Sequence, residues 1–197
     1  METSNAIDYN SCTVLRGAQH TETCEAHGVY TARCIDSNNN LIWEDTIDNV
    51  VNTEGKNLAF NTFLNGSAYT VTGPYMGLIS SVSYSTVAAG DTAAQINGTN
   101  GWKEAGSSTN YPLYTTPRKT CAWSAASAGS ISLSAALSFP IITTGGTVKG
   151  CFIIFGSGAS STIANTSGTL WSAGLFSGGD KIVNPGDTIQ VSYSTSM

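Results

Sequence analysis

The last fifty residues of the chain contain three short runs that decide its fold: VKGCFIIF at 148–155, TLWSAGLF at 169–176 and DTIQVSYS at 187–194. Each run has the length and composition of a β-strand and is bounded by Gly, Ser, Asn or Pro. In the last run Ile189, Val191 and Tyr193 alternate with polar residues, which is typical of a strand with one buried face. The sequence therefore predicts that the chain ends inside a sheet.

A hairpin and a helix are predicted upstream of these runs. Residues 29–36 alternate in polarity and lead through the Asn-rich residues 37–40 into a second apolar run at 41–45, which favours two strands joined by a turn. The helix opens at residues 53–57, presents a short apolar face and stops at Gly66. We expect it to cover one end of a pair of sheets.

Further strands are predicted at 74–80 and 130–139, and the polar, Gly-rich stretch 81–110 is predicted to be a long contact loop. Strands predominate and no alternation of strands with helices occurs, so the predicted fold is all-β. We expect an antiparallel β-sandwich, jelly-roll or immunoglobulin-like, with one short helix. The predicted domains are an extended N-terminal arm at residues 1–27 and the sandwich at 28–197.

Charge and hydropathy argue against two classes of partner. The formal net charge is -5 and only eight residues are Lys or Arg, so a nucleic-acid partner is not expected. No basic and apolar leader opens the sequence, and no run of apolar residues is long enough to span a bilayer. We therefore expect synthesis in a cytoplasm and no membrane partner.

Thiols and imidazoles in the N-terminal region form the sharpest candidate for a metal site, because zinc prefers these ligands. The candidates are Cys12, His20, Cys24, His27 and Cys34. Cys24 and His27 have a chelating spacing, but the other gaps match no standard zinc-finger pattern. The favoured interpretation is separate packed or surface residues, so neither a metal nor another cofactor is predicted. The five cysteines are also expected to form no disulfide.

The sequence contains no strong motif for nucleophilic or carboxylate catalysis. Both histidines lie within one short segment, and no Gly-x-Ser-x-Gly elbow follows a strand into a helix. Glu44, Asp45 and Asp48 cluster at a strand end, where solvated charge is the favoured interpretation and a glycosidase or calcium site is the alternative. The sequence therefore predicts a protein that is not an enzyme.

One tryptophan is singled out as a contact residue. Trp43, Trp123 and Trp171 are expected to pack in the core, whereas Trp102 lies in the polar 81–110 stretch. If exposed, its ring could stack on a sugar or contact a partner. Trp102 is therefore the predicted residue for partner or glycan contact.

Taken together, these segments resemble a family of virion proteins from tailed bacteriophages. The resemblance covers most of the chain and is carried by Gly28 to Asp36, Leu41 to Glu44, Asn49 to Asn57, Tyr75 to Ile79, Ala89 to Thr92, Gly101 to Glu104, and the segments 148–155, 170–176 and 186–194.

The resemblance implies a structural protein of the particle, of the capsid decoration or cement type. Its expected partners are the major capsid protein and further copies of itself, and its expected location is the capsid exterior after synthesis in the bacterial host cytoplasm. The alternative is a tail or head-fibre module that binds a host receptor or glycan. The family supplies no catalytic residues, and the segment before Gly28 is expected to be a docking arm.

Overall fold

The computed structural model describes residues 26–69, 72–98, 101–115 and 117–196, with the side chain of Val50 left aside. Within these residues lie one α-helix, α1 (Thr53–Phe63), one short 3-10 helix (Ala93–Gln95) and eleven strands. The strands are β1 (His27–Ile35), β2 (Leu41–Val51), β3 (Tyr75–Ser80), β4 (Lys103–Glu104), β5 (Lys119–Thr120), β6 (Ser130–Ser132), β7 (Leu137–Pro140), β8 (Gly146–Phe155), β9 (Thr169–Leu175), β10 (Lys181–Val183) and β11 (Thr188–Ser196).

The strands form two antiparallel layers, which confirms the predicted β-sandwich. One layer contains β2, β1 and β11, with β6 and β7 both pairing with β11. The other contains β9, β8, β3 and β4, with β10 on β8 and β5 on β3. The layers meet at a corner where β2 and β9 share only the pairs Val50–Ala173 and Val51–Ser172.

The main core lies between the layers and draws on both. Tyr30 of β1 and Tyr193 of β11 face Met76 of β3 and Ile153 of β8, and all four side chains are buried. The predicted alternation in the last strand is confirmed, because Ile189, Val191 and Tyr193 are at most 2% exposed. Burial of this apolar face provides the main driving force for closing the sandwich.

A second core lies on the outer side of β3, β8 and β9. The segment 81–110, which was predicted to be an irregular contact loop, packs Ile96 and Trp102 there against Phe152 and Ile154. This explains why residues 151–154 are all buried, since a strand covered on both faces has no polar side. The described parts of this segment, residues 81–98 and 101–110, therefore form a packed layer of the fold.

The hairpin of β1 and β2 forms as predicted because the side chain of Asp36 organises the turn. Its Oδ1 atom accepts hydrogen bonds from the backbone amides of Asn38 and Asn40, each at 2.8 Å. Asn39 adopts a left-handed conformation, with φ of 63°. Asn tolerates that conformation better than most residues, so the Asn-rich turn fixes the register of the hairpin.

Two sequence predictions differ from the structure at their boundaries. The predicted strand at 130–139 is divided into β6 and β7, because the amide of Ser134 donates to the carbonyl of Ala122 at 2.9 Å instead of to β11. The predicted arm boundary also shifts, since His27 already belongs to β1 and pairs with Ser196. Residues 1–25 of the predicted arm lie outside the described residues.

Candidate functional site

Helix α1 is anchored at its start and exposed at its end. Glu54 Oε2 accepts hydrogen bonds from the amides of Leu170 at 2.9 Å and Ala93 at 3.2 Å. Gly55 lies against β9, and a Cβ atom there would come within 2.9 Å of Trp171 Cε3, so glycine permits the close approach. Toward the other end of the helix, the side chains of Phe60, Phe63 and Leu64 are 61%, 78% and 79% exposed.

An apolar groove runs between the exposed half of α1 and Trp171, and we call it the α1 groove. The part of the groove beside the end of α1 has a volume of about 260 Å³. The lining residues there are Ala26, Lys56, Ala59, Phe60, Phe63, Leu64 and Trp171. The groove continues past Trp171 over Phe155 and Tyr69 to Trp123 and Ile131. Among the described lining residues of the whole groove, Lys56 is the only charged one.

Aromatic contacts and one hydrogen bond hold the floor of the α1 groove together. Phe155 packs against Trp171 and Tyr69, with ring centroids 5.8 Å apart in both pairs. Trp171 Nε1 donates to the hydroxyl of Tyr193 at 3.0 Å. The groove is therefore a preformed apolar surface, of the kind that marks sites of protein contact.

A second surface, which meets the far end of the α1 groove at Trp123 and Ile131, is distinguished by its lack of charge. No charged residue and no histidine occurs between Lys119 and Lys149, and residues 122–138 of this stretch are called here the uncharged face. Its tip is a tight turn in which Ala128 and Gly129 have φ of 49° and 71°, as a two-residue hairpin turn requires. Most of its side chains are exposed, although Leu133 is buried.

Trp102 is not the surface residue that the sequence predicted. Its side chain is fully buried, its ring centroid lies 5.1 Å from that of Phe152, and its Nε1 atom donates to Asp91 Oδ2 at 3.2 Å. The ring therefore offers no face to a sugar or a partner. The prediction of an exposed Trp102 is wrong because burial in the second core depends on tertiary packing that no local pattern in 81–110 reveals.

The candidate metal ligands do not converge where the structure describes them. His27 is exposed at the start of β1, whereas Cys34 is buried in the main core seven residues along the same strand. Seven residues of extended strand span about 23 Å, so these two side chains cannot bind one ion. Cys12, His20 and Cys24 lie outside the described residues. Within the part of the chain that the structure describes, no three potential ligands cluster.

The described thiols are structural. Cys34, Cys121 and Cys151 are free and buried. Burial raises the pKa of Cys34 and of Cys121 to about 12 and also raises the pKa of Cys151. Thiols with such pKa values stay protonated at neutral pH, so these three pack as small apolar groups and are not nucleophiles.

The acidic cluster of β2 is divided between the two faces of the strand. Glu44 and Asp48 are exposed, whereas Asp45 is partly buried and binds Lys181 Nζ at 2.6 Å. Partial burial would raise the pKa of Asp45, but bonds from Lys181, Ser177 and Gly178 lower it to about 2. Asp45 therefore fixes the turn before β10 to the edge of β2, and the three carboxylates form no catalytic pair.

A buried ion pair, which no local sequence pattern predicts, joins three segments. Arg118 binds Glu104 in a bidentate manner, with both nitrogen–oxygen distances 2.7 Å, and both side chains are fully buried. The guanidinium also donates to the carbonyls of Ser160 and Asn165, and the amide of Ala164 donates to Glu104. The pair is saturated with partners inside the fold, so it serves stability and offers nothing to a ligand.

Comparisons with known proteins add no further assignment. No known protein family, no curated protein and no solved structure matches the chain. Among the described residues, none of the helices has the length and apolar character needed to cross a bilayer.

Proposed function

We propose that the protein is a structural component of a tailed-bacteriophage virion that decorates the capsid exterior and stabilises it. In this role many copies bind the assembled lattice of the major capsid protein after synthesis in the host cytoplasm. The protein acts through contacts between surfaces and has no catalytic role. The class of protein comes from the sequence resemblance, and the uncharged face supports it.

The uncharged face is the observation that carries the proposal. The cores of protein interfaces are depleted in charged residues, because desolvating a charge costs more than desolvating an apolar or hydroxyl group. Charged side chains on the edges of sheets prevent strands of different molecules from pairing. An exposed edge region without charges therefore leaves a free monomer open to such pairing. Such a surface suits a protein that works packed against neighbours.

The alternative role, a tail or head-fibre module that binds a receptor or glycan, relied on an exposed Trp102. Because Trp102 is buried, its side chain does not supply the contact that this role required. The predicted attachment through residues 1–27 remains a prediction, since 1–25 lie outside the described residues.

Binding to particles tests the proposal directly. Ala126 lies near the tip of the uncharged face, and Ala126→Lys places a charge there without touching a buried group. We expect this variant to keep its melting temperature and to lose at least about tenfold in affinity for undecorated capsids, because an unpaired charge in an interface costs several kcal/mol. Co-sedimentation with purified capsids measures the affinity.

The matched control is Ala94→Lys, which introduces the same charge at an exposed position in the 81–110 layer. It should bind capsids like the unmodified protein. Failure of the unmodified protein to sediment with capsids contradicts the decoration role. Loss of binding in Ala94→Lys alone instead places the attachment in the 81–110 layer.

A further inference from the structure

The same reactive dipeptide, Asn-Gly, occurs at two described places where its surroundings are very different. These are Asn65–Gly66, just beyond α1, and Asn97–Gly98, in the 81–110 layer. A third copy begins at Asn100, which lies outside the described residues. Asparagine before glycine is especially prone to deamidation, because glycine has no Cβ atom to obstruct attack by its backbone nitrogen on the asparagine side chain.

The first dipeptide is open to this reaction. Asn65 and Gly66 are both exposed, and a Cβ atom at Gly66 would meet no group within 4 Å beyond its immediate chain neighbours. On either side, the amides of Asn65 and Ser67 donate to carbonyls in the last turn of α1, at 3.3 and 2.9 Å. Among the described residues, neither the amide of Gly66 nor the side chain of Asn65 has a hydrogen-bond partner. No described contact therefore has to break before the two groups meet.

The second dipeptide is held in place at both reacting groups. Asn97 Oδ1 accepts hydrogen bonds from the backbone amide of Glu104 at 3.1 Å and from Asn110 Nδ2 at 3.4 Å. The amide of Gly98, whose nitrogen would have to attack, donates to the carbonyl of Gln95 at 3.2 Å. Both residues of the dipeptide are also partly buried. Reaction at Asn97 therefore requires this part of the layer to open first.

We infer that Asn65 is a site of spontaneous deamidation and that the fold protects Asn97 from the same reaction. The backbone nitrogen of Gly66 attacks Cγ of Asn65, so that a new carbon–nitrogen bond forms and the bond from Cγ to Nδ2 breaks. Nδ2 takes up the proton of the attacking amide and leaves as ammonia. Water then opens the cyclic imide at either carbonyl, which gives aspartate or isoaspartate. One water is consumed, one ammonia is released, and the chain gains one negative charge. The inference does not depend on the virion role.

The product places its carboxylate where it disfavours the helix. The carbonyls at the C-terminal end of a helix carry partial negative charge, and the last turn of α1 contains no basic residue to offset a further anion. Isoaspartate also adds a methylene group to the backbone, which displaces the bond between the amide of Ser67 and the carbonyl of Asn61. Because Phe63 and Leu64 lie at this end of α1 and line the α1 groove, deamidation should loosen that part of the groove.

Peptide mapping by mass spectrometry tests the inference on the full chain during incubation at mildly alkaline pH, since fragment masses assign each deamidated residue. In the folded protein we expect Asn65 to deamidate at least about tenfold faster than Asn97, because Asn97 reacts only in locally opened molecules. In concentrated urea both dipeptides lose their contacts, so the two rates should become similar. Equal rates in the folded protein overturn the inference. So does a difference that persists in urea, since the fold is then not its cause.

The effect on α1 is tested with Asn65→Gln, which keeps a side-chain amide but reacts far more slowly because it must close a larger ring. After incubation, amide exchange in the last turn of α1 should be at least about threefold faster in the unmodified protein and unchanged in the variant. Equal acceleration in both proteins overturns the proposed effect on α1. So does unchanged exchange in unmodified protein whose Asn65 has fully deamidated.

Discussion

At the scale of single residues, the polar groups inside the protein hold loops in place. Glu104 and Arg118 join β4 to the segment 160–165, and Asp45 joins β2 to the turn before β10. Each group has several partners, which is the condition for placing charge in a protein interior without a large loss of stability. These residues explain how long connections between short strands are kept in fixed positions.

Removing Arg118 should destabilise the protein strongly. Arg118→Met leaves Glu104 buried without its counter-charge, which costs about 3–5 kcal/mol in the free energy of unfolding. Urea denaturation measures the loss. The matched control is Lys149→Met at the more exposed Lys149–Asp180 pair, where the expected loss is under about 1 kcal/mol. Similar losses in both variants would show that burial does not set the strength of the Glu104–Arg118 pair.

The stability of the folded protein should depend on pH through the carboxylate of Asp45. Its pKa in the folded protein is about 2, below the ordinary value of about 3.9, so its contribution is complete above about pH 4 and is lost as the pH falls toward 2. Asp45→Asn should reduce stability at pH 7 by about 1 kcal/mol, and this difference should shrink between pH 4 and 2.

Thermal melts at several pH values measure the effect of Asp45→Asn. Asp48→Asn, at an exposed position on the same strand, is the control and should change stability little at any pH. A loss in Asp45→Asn that is the same at pH 7 and pH 2 would rule out an electrostatic origin.

At the scale of elements, strands with a period of two could be predicted from the sequence and the layer 81–110 could not. The alternation of Ile189, Val191 and Tyr193 directly reflects one buried face, so β11 was predicted correctly. Ala93, Ile96 and Trp102 have no such period, because their layer contacts the sheet through scattered side chains. The same limit hid the pairing of Glu104 with Arg118, since an ion pair between distant segments leaves no local pattern.

The central position of β11 leads to a prediction about its two faces. Val191 is fully buried and pairs with Ala32 of β1 and Leu137 of β7, whereas its neighbour Ser192 is exposed. Val191→Asp should abolish cooperative folding, because an unpaired carboxylate replaces a core side chain. Ser192→Asp, one residue away, should change the melting temperature by only a few degrees. A cooperative, near-normal melt for Val191→Asp would mean that β11 is accessory to the fold.

At the scale of the whole molecule, the two layers and the packed 81–110 segment carry two surfaces that meet at Trp123 and Ile131. The α1 groove is apolar and adjoins Ala26, where the described chain begins, whereas the uncharged face surrounds the hairpin tip formed by Ala128 and Gly129. The sequence resemblance predicted a role in assembly, but neither surface was predicted. The α1 groove combines residues that lie far apart in the chain, whereas the uncharged face is one continuous stretch whose exposure depends on the fold.

The proposed role makes a final prediction about the particle. Each copy on a capsid adds a modest contact, and many contacts repeated over a closed lattice sum to a large resistance against rupture, since one subunit cannot leave without breaking several of them. Capsids that lack the protein should therefore release their genome at a lower temperature than decorated capsids, and adding the purified protein should restore the difference. Release can be followed with a dye that fluoresces on exposed DNA.

Protein carrying Ala126→Lys should fail to restore resistance, whereas Ala94→Lys should restore it. If decorated and bare capsids release DNA at the same temperature, the protein decorates the capsid without stabilising it.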